Sequence, residues 1–227
     1  MTDTLYRAAF VLPVASPPIR DGFVAVRDGA VIGVGPIGER PRAGEGAEVD
    51  LGSAILMPGF VNAHTHLELS HLEGALSGDR GFVTWIEDQL RVRAERPPDE
   101  APVAIRKAID SLVAGGTAAV ADVSNSLATV GPLRESGLHA LVLHEILGFD
   151  PAKADRVLEQ TRAARAPLSG PGSAVVRVEV AAHAPHSISR ELFALLMADG
   201  GVKSIHVAES RAEDDFLRDG SGDWRGF

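Results

Sequence analysis

The pattern of apolar and polar positions divides the chain into two parts. Residues 21–35 alternate apolar and polar side chains on both sides of Asp28-Gly29, a dipeptide typical of a β-hairpin turn. A connector rich in glycine, proline and charge follows at 36–46, and then a nearly unbroken apolar run at 49–63. Such a run is typical of a strand buried on both faces, as in a parallel sheet. We therefore predict a small β domain over residues 1–54 and a second domain over 55–227.

Strands and helices alternate along the second part. The predicted strands cover residues 55–63, 117–123, 138–147, 174–182 and 202–207. The predicted helices cover residues 82–95, 100–114, 129–136, 151–164 and 190–198, the last with Ser189 as its N-cap. This alternation specifies an α/β fold with a parallel sheet, either an open doubly wound sheet or a (β/α)8 barrel.

Composition narrows the classes of partner. The 227 residues carry a net charge of −9, which disfavours binding to nucleic acid or to an anionic membrane surface, so we expect a small-molecule substrate. No stretch approaches the roughly 20 apolar residues that span a bilayer, and the start of the chain lacks the pattern of a signal peptide, so we expect a cytoplasmic protein. Since the chain has no cysteine, histidine and carboxylate side chains must hold any metal ion.

Six of the eight histidines fall at or just after the predicted carboxyl ends of strands, the edge where α/β folds build their sites. They are His64, His66, His144, His183, His186 and His206. In an extended strand, the spacing His64-Thr65-His66 directs both imidazoles to one face, where they can hold one ion. The same short spacing also arises between unrelated polar residues in a turn, and only its place at the end of an apolar strand favours the ion site.

Four segments together resemble the amidohydrolase superfamily. They are the hairpin DGFVAVRDGAVIGVG, PGFVNAHTHLELSHLEG, HAPHSIS and SIHVAES, and the resemblance runs from about residue 21 to about residue 222. Within the superfamily, the sequences of these segments are similar to those of the hydrolytic deaminase and chlorohydrolase branch, which includes aminodeoxyfutalosine, adenosylhomocysteine and cytosine deaminases. The resemblance implies a (β/α)8 barrel with a small β-sandwich made from both chain ends. About five of the eight barrel units fit within residues 55–227.

The resemblance also implies a mononuclear metal site. It assigns His64, His66 and His206 as ligands of one divalent ion, zinc or iron, and Glu209 as the general acid/base. Neutral imidazoles leave an open position on the ion, which lowers the pKa of a bound water towards about 7. A carboxylic acid must then deliver a proton to the departing amine, because a ring nitrogen leaves poorly as an anion. Without the SIHVAES context, Glu209 would read as one more solvated charge of the run ESRAEDD.

Four further residues are candidates for contact with substrate. His183 matches a substrate-contacting histidine of the family, and His186 stands where the family usually has an aromatic residue. Glu68 and Glu145 lie beside rim histidines, and each either contacts substrate or supports a neighbouring group. The family members with two metals use a carboxylated lysine at the end of the fourth strand, and this chain has no lysine there.

The resemblance leads to a predicted function. We expect a hydrolase that releases ammonia from a purine-like ring, as in an aminodeoxyfutalosine- or adenosine-type nucleoside. The alternatives are another cyclic C–N amidohydrolase, similar to imidazolonepropionase or to chlorotriazine hydrolases, or a non-catalytic fragment. Family members take a further aspartate ligand from the eighth strand, and no equivalent falls within the 227 residues. We therefore expect a C-terminally truncated chain that is inactive by itself and associates with copies of itself, and the sequence also allows a homo-oligomer.

Overall fold

Two sheets, each in its own part of the chain, make up the fold. The computed structural model describes residues 3–40, 46–97, 99–168 and 175–226. The chain divides into two units, Met1–Gly59 and Phe60–Phe227. The single strand predicted at 55–63 is wrong, because the structure has two strands there, Ile55–Leu56 in the first unit and Phe60–Thr65 in the second.

The first unit is a five-stranded sheet. Its strands are β1 (Asp3–Val11), β2 (Ile19–Arg27), β3 (Ala30–Pro36), β4 (Ala47–Asp50) and β5 (Ile55–Leu56). The order is β3-β2-β1-β4, and β5 also pairs with β1. The predicted hairpin is confirmed, and its turn residues Asp28 and Gly29 have φ values of 50° and 80°, as a tight hairpin turn with the right twist requires. Part of the connector predicted at 36–46 lies outside the described residues.

The second unit is built on a parallel sheet of four strands. They are β6 (Phe60–Thr65), β7 (Thr117–Ser124), β8 (His139–Ile146) and β9 (Val176–Ala182), in the order β6-β7-β8-β9. The helices are α1 (Phe82–Glu95), α2 (Glu100–Ala114), α3 (Val130–Ser136), α4 (Ala154–Arg165), α5 (Arg190–Ala198) and α6 (Arg211–Asp219). The predicted α/β fold with a parallel sheet is therefore confirmed. Among the described residues, no helix is both long and apolar enough to cross a bilayer.

The two faces of this sheet carry different side chains. On one face, apolar residues of α2 and α3 pack against β7, β8 and β9, with Ile105, Leu133 and Val142 at most 1% exposed. On the other face Val123, Leu143 and Ala181 form a smaller cluster. Side chains alternate between the two faces along a strand. The side chains two positions after Leu143 and Ala181 therefore lie on the same face as this smaller cluster.

The fifth predicted strand, at 202–207, is wrong. Within the described residues, this segment has no regular strand, and one backbone hydrogen bond, from His206 N to His183 O at 2.8 Å, ties it to the end of β9. Gly200 and Gly201 precede it with φ values of 72° and 75°, so the chain turns sharply where a strand would begin. The segment nevertheless brings His206 beside the carboxyl end of β9.

The edge strand β6 was predicted to be buried on both faces, but Phe60 and Val61 are 57% and 70% exposed. Among the described residues this strand pairs with β7 alone, and an apolar edge strand is a template for pairing with another chain. We expect residues 1–227 to self-associate and Val61→Lys to reduce the association, as measured by light scattering. Val103→Lys is the control, because Val103 is 69% exposed on helix α2. A monomeric wild type, or an equal effect of both substitutions, would contradict this expectation.

Candidate metal centre and active site

Three imidazoles meet at the carboxyl end of the parallel sheet. His64 and His66 come from the end of β6, and their ring centroids are 5.0 Å apart. His206 lies 5.1 Å from His64 and 5.4 Å from His66 by the same measure. One nitrogen of each ring lies within 4.8 Å of the other two. The structure therefore gathers the three histidines that the sequence singled out as ligands, at a spacing that small side-chain rotations can bring to one ion.

Two carboxylates flank His206. Glu145 Oε1 lies 3.1 Å from its Nε2, and Glu209 Oε1 lies 3.2 Å from its Nδ1. The hydrogen bond to Glu145 is the main cause that raises the pKa of His206. Burial instead lowers the pKa of His66, which favours its neutral form. His206 therefore holds a proton more readily than His66 does, and a bound metal ion would have to displace it.

Asn125 fixes the Glu145 side chain. Its Nδ2 donates to Glu145 Oε2 at 3.0 Å and to the Glu145 backbone oxygen at 3.2 Å. Burial opposes ionisation of Glu145, but the hydrogen bonds from His206 and Asn125, together with nearby imidazoles, outweigh it and lower the pKa of the carboxyl group. Glu145 is thus a fixed, charged acceptor for His206.

Glu68 supports the loop after β7. Its side chain is 4% exposed, and its oxygens accept hydrogen bonds from Ser124 Oγ, Asn125 N, Ser126 N and Ser126 Oγ at 2.6–3.1 Å. Burial opposes its ionisation, yet these donors outweigh that effect and lower the pKa of the carboxyl group. The predicted substrate contact of Glu68 finds no support in this geometry, because loop donors already occupy both oxygens.

His183 and His186 lie on the chain that leaves β9. Nδ1 of His183 lies 2.6 Å from Ser187 Oγ, and its ring is 5.5 Å from that of His206. The His186 ring lies 4.3 Å from Trp224, tilted by 31°. Burial lowers the pKa of both imidazoles. The two residues therefore present largely neutral rings beside the three clustered histidines.

These groups line one cavity of about 800 Å³. Its polar side carries the five histidines together with Glu145 and Glu209. Apolar side chains also line the cavity, and we define Leu69, Phe82, Trp85, Leu147, Phe149 and Trp224 as its apolar wall. A cavity of this size, mostly apolar with a few converging polar groups, is typical of a small-molecule site.

Sequence reasoning missed the apolar wall. A signal was present, since the chain has only two tryptophans and both Trp85 and Trp224 line the cavity. Of the six rim histidines, His144 does not line it. The alternation along β8 explains this, because Glu145 lies on the face with Leu143 whereas His144 lies on the opposite face.

Asp122 supports the chain just after His66. Its Oδ1 accepts the backbone hydrogen bond of Leu67 at 2.8 Å, while Oδ2 has no hydrogen-bond partner in the described part of the chain. The side chain is fully buried, and burial raises the pKa of the carboxyl group from 3.8 to about 7 despite the Leu67 amide and the nearby Thr129 hydroxyl. The fold therefore favours the protonated acid.

This raised pKa gives a stability prediction. Asp122 contributes its full stability below pH 4, and the contribution is lost as the pH rises through about 7, because the buried carboxylate must then ionise. Asp122→Asn keeps the Oδ1 acceptor and cannot ionise. We expect its advantage in unfolding free energy over wild type to grow by up to about 1.4 kcal/mol per pH unit across this range. Urea unfolding at several pH values checks this, and a difference that does not vary with pH would contradict it.

Similarity to known proteins adds to the evidence that the geometry of the site provides. The family model described as "Amidohydrolase family" matches residues 55–223. A 5-methylthioadenosine/S-adenosylhomocysteine deaminase of Pelotomaculum thermopropionicum is 26% identical over 231 residues, covering 98% of this chain and 53% of that protein. An aminodeoxyfutalosine deaminase of Nitratiruptor sp. is 27% identical over 180 residues, covering 77% of this chain and 44% of that protein.

Solved structures share the fold. Helicobacter pylori aminofutalosine deaminase in complex with methylthio-coformycin matches with a TM-score of 0.82 at 24% identity, covering 99% of this chain and 55% of that one. An adenosine deaminase from Xanthomonas campestris with bound zinc matches with a TM-score of 0.74 at 24% identity, covering 97% and 53%. The chain thus spans about half the length of the relatives that it matches. Since the family model covers most of its length, the chain belongs to the amidohydrolase family.

Proposed function

We propose that this chain is the metal-binding part of a hydrolase that removes the amino group from the purine-like ring of an adenosine-type nucleoside. The observation that carries the proposal is the convergence of His64, His66 and His206, with Glu209 against His206. Relatives named as 5-methylthioadenosine/S-adenosylhomocysteine, aminodeoxyfutalosine and 5′-deoxyadenosine deaminases support the substrate class.

The donor set fits one divalent ion. Three imidazole nitrogens are ligands that zinc prefers, and a catalytic zinc site takes three protein ligands and leaves one position open. One nitrogen of His206 would bind the ion while the other keeps its carboxylate partner, an arrangement that orients metal-binding histidines in general. The ion, when bound, supplies Lewis acidity that makes water a nucleophile at neutral pH. The zinc bound by the Xanthomonas campestris deaminase supports this assignment.

The side chains around the ligands have separate tasks in the proposal. Glu209, whose side chain is 34% exposed, accepts the proton of the attacking water and delivers it to the departing amine. Glu145 orients His206, and Ser187 orients His183 so that its other ring nitrogen contacts the substrate. His186 contributes to the same side of the cavity.

The apolar wall receives the flat ring and its apolar substituents. Phe82 and Trp85 stack with ring centroids 6.0 Å apart, and Phe82 meets Trp224 edge to face at 6.2 Å. Aromatic side chains in such an array favour a planar aromatic ligand. The first unit, in this proposal, is part of the small β-sandwich of the family. The domain boundary after residue 54, the cytoplasmic location and a homo-oligomeric state stay predictions.

The experiment is an ammonia assay on the complete natural protein loaded with zinc. The substrates are adenosine, 5′-deoxyadenosine, 5-methylthioadenosine, S-adenosylhomocysteine and aminodeoxyfutalosine. We expect zinc-dependent ammonia release from at least one of them. Release of no ammonia from any, together with hydrolysis of a chlorotriazine, would overturn the proposal in favour of the second candidate, which a triazine hydrolase of TM-score 0.76 suggests by its fold alone.

A further inference from the structure

Glu213, on the first turn of α6, is fully buried although its side chain ends in a carboxyl group. Burial of a carboxylate is costly unless hydrogen bonds or an opposite charge compensate it. Its Oε2 accepts a hydrogen bond from the backbone N–H of Glu209 at 2.9 Å, and its own backbone N–H donates to Ser210 Oγ at 3.2 Å. This arrangement resembles a helix capping box, shifted by one residue. The contact with Glu209 gives a hydrogen-bond partner to one of the two carboxylate oxygens, Oε2.

The other oxygen faces His186. Glu213 Oε1 lies 3.9 Å from His186 Nδ1, and within the described residues both atoms are buried and neither makes a hydrogen bond. Two buried polar atoms that face each other without partners require an explanation, because nearly all such atoms in folded proteins are hydrogen-bonded. Trp224 lies against the His186 ring at 4.3 Å and limits how far it can turn. A closing movement of about 1 Å would give a hydrogen bond of ordinary length.

We propose that His186 and Glu213 form a buried hydrogen-bonded pair that positions Glu209 for proton transfer. His186 Nδ1–H donates to Oε1, and Oε2 holds the Glu209 backbone, so that the segment after β9 and the start of α6 are joined beside His206. The proposal rests on the proposed function, because Glu209 acts there as the general acid/base. His186 and Glu213 are positioning residues, since they act through Glu209.

If Glu213 did no more than cap helix α6, its variants would behave differently from those of a residue that positions Glu209. Glu213→Gln keeps a carbonyl oxygen that can accept the Glu209 N–H, but it removes the charge that faces His186. Glu213→Ala removes both. If Glu213 only caps the helix, the Gln variant should behave as wild type and only the Ala variant should lose stability. If the pair positions Glu209, the Gln variant should already lose turnover.

The experiment uses the complete natural protein loaded with zinc, with Glu213→Gln, His186→Phe and the control Asp214→Asn on the exposed side of the same helix. We expect kcat to fall about tenfold in the first two variants, as for a misplaced catalytic group, while zinc content stays within about twofold in both and KM does so in Glu213→Gln. In Asp214→Asn all three should stay at wild-type values.

Titration of the His186 ring by NMR tests the pair without catalysis. Burial lowers the pKa of His186 and the Glu213 charge raises it, so Glu213→Gln should lower this pKa further. The other titratable groups that act on the ring are His183, Glu209 and His206, and these are the same in both proteins. The Glu209 amide resonance should also move in Glu213→Gln.

A failure of the His186–Glu213 pair and a failure of the proposed function would give different results. An unchanged His186 pKa in Glu213→Gln, or an unchanged kcat, would overturn the pair. An equal loss in Asp214→Asn would overturn it as well. If wild type released no ammonia from any adenosine derivative, the proposed function would fail, and the His186 titration and the Glu209 amide resonance would still decide whether the pair holds Glu209.

Discussion

His66→Ala is expected to abolish zinc binding and ammonia release together. His66 is partly buried, and burial lowers the pKa of its imidazole, so the neutral ring that a metal ion needs is the stable form at pH 7. Its removal leaves two of the three clustered imidazoles, and two imidazoles are too few for a catalytic zinc site in this chain. We expect the zinc content to fall from about one ion per chain to near zero, as measured by elemental analysis, and activity to fall to background.

The matched control is His139→Ala. His139 begins strand β8, far from its carboxyl end, and it is exposed. This variant should keep both zinc and activity. Zinc retained at full occupancy in His66→Ala would show that His66 is not a ligand and would move the metal site elsewhere.

Glu209→Gln is expected to keep the metal and lose turnover. Glutamine has nearly the same shape as glutamate, so it can take the same place beside His206, whose Nδ1 lies 3.2 Å from Glu209 Oε1 in this structure. It cannot carry a proton from the attacking water to the departing amine. We expect kcat to fall by about 10²-fold or more, the usual contribution of a general acid/base, with zinc content unchanged.

Glu191→Gln on α5 controls for the loss of one negative charge, because its side chain is exposed. It should leave kcat at the wild-type value. Ammonia release at the wild-type rate in Glu209→Gln would assign proton transfer to another group, and Glu145 would be the next candidate because it contacts the same imidazole.

Local signals predicted most of the second unit. The helices at Phe82–Glu95, Glu100–Ala114 and Arg190–Ala198 begin and end where apolar periodicity, glycine pairs and the Ser189 cap indicate. Ser189 Oγ accepts from Leu192 N, as an N-cap should. These elements depend on residues near each other in sequence, so a single sequence is enough to place them.

Other elements depend on signals that were present but outweighed. Helix α6 lies in the run ESRAEDD, where charge favoured a solvated segment, yet Ser210 and Glu213 have the spacing of a capping box. Strand β1 lies in the opening residues, where only a leader segment was considered. The apolar segment 202–207 predicted a strand, but the two left-handed glycines before it turn the chain, and their conformation is visible only in the structure.

The candidate metal ligands of the site could be predicted from the sequence, but the residues that hold the neighbouring carboxylates were not. The resemblance and the spacing pointed to His64, His66 and His206, and the structure gathers them. Asn125 and Glu213, which hold Glu145 and Glu209, were missed. Asn125 makes its contact across strands, and a single sequence carries no pattern for such a contact. Glu213 stands at the capping-box spacing from Ser210, and this signal was overlooked.

The position of the ion tests the proposed metal site most directly. Crystals of the zinc-loaded protein would be measured at the zinc absorption edge. We expect one anomalous peak, about 2.0–2.1 Å from a nitrogen of each of His64, His66 and His206. No peak among these three imidazoles in fully loaded protein, or a peak held by other side chains, would contradict it.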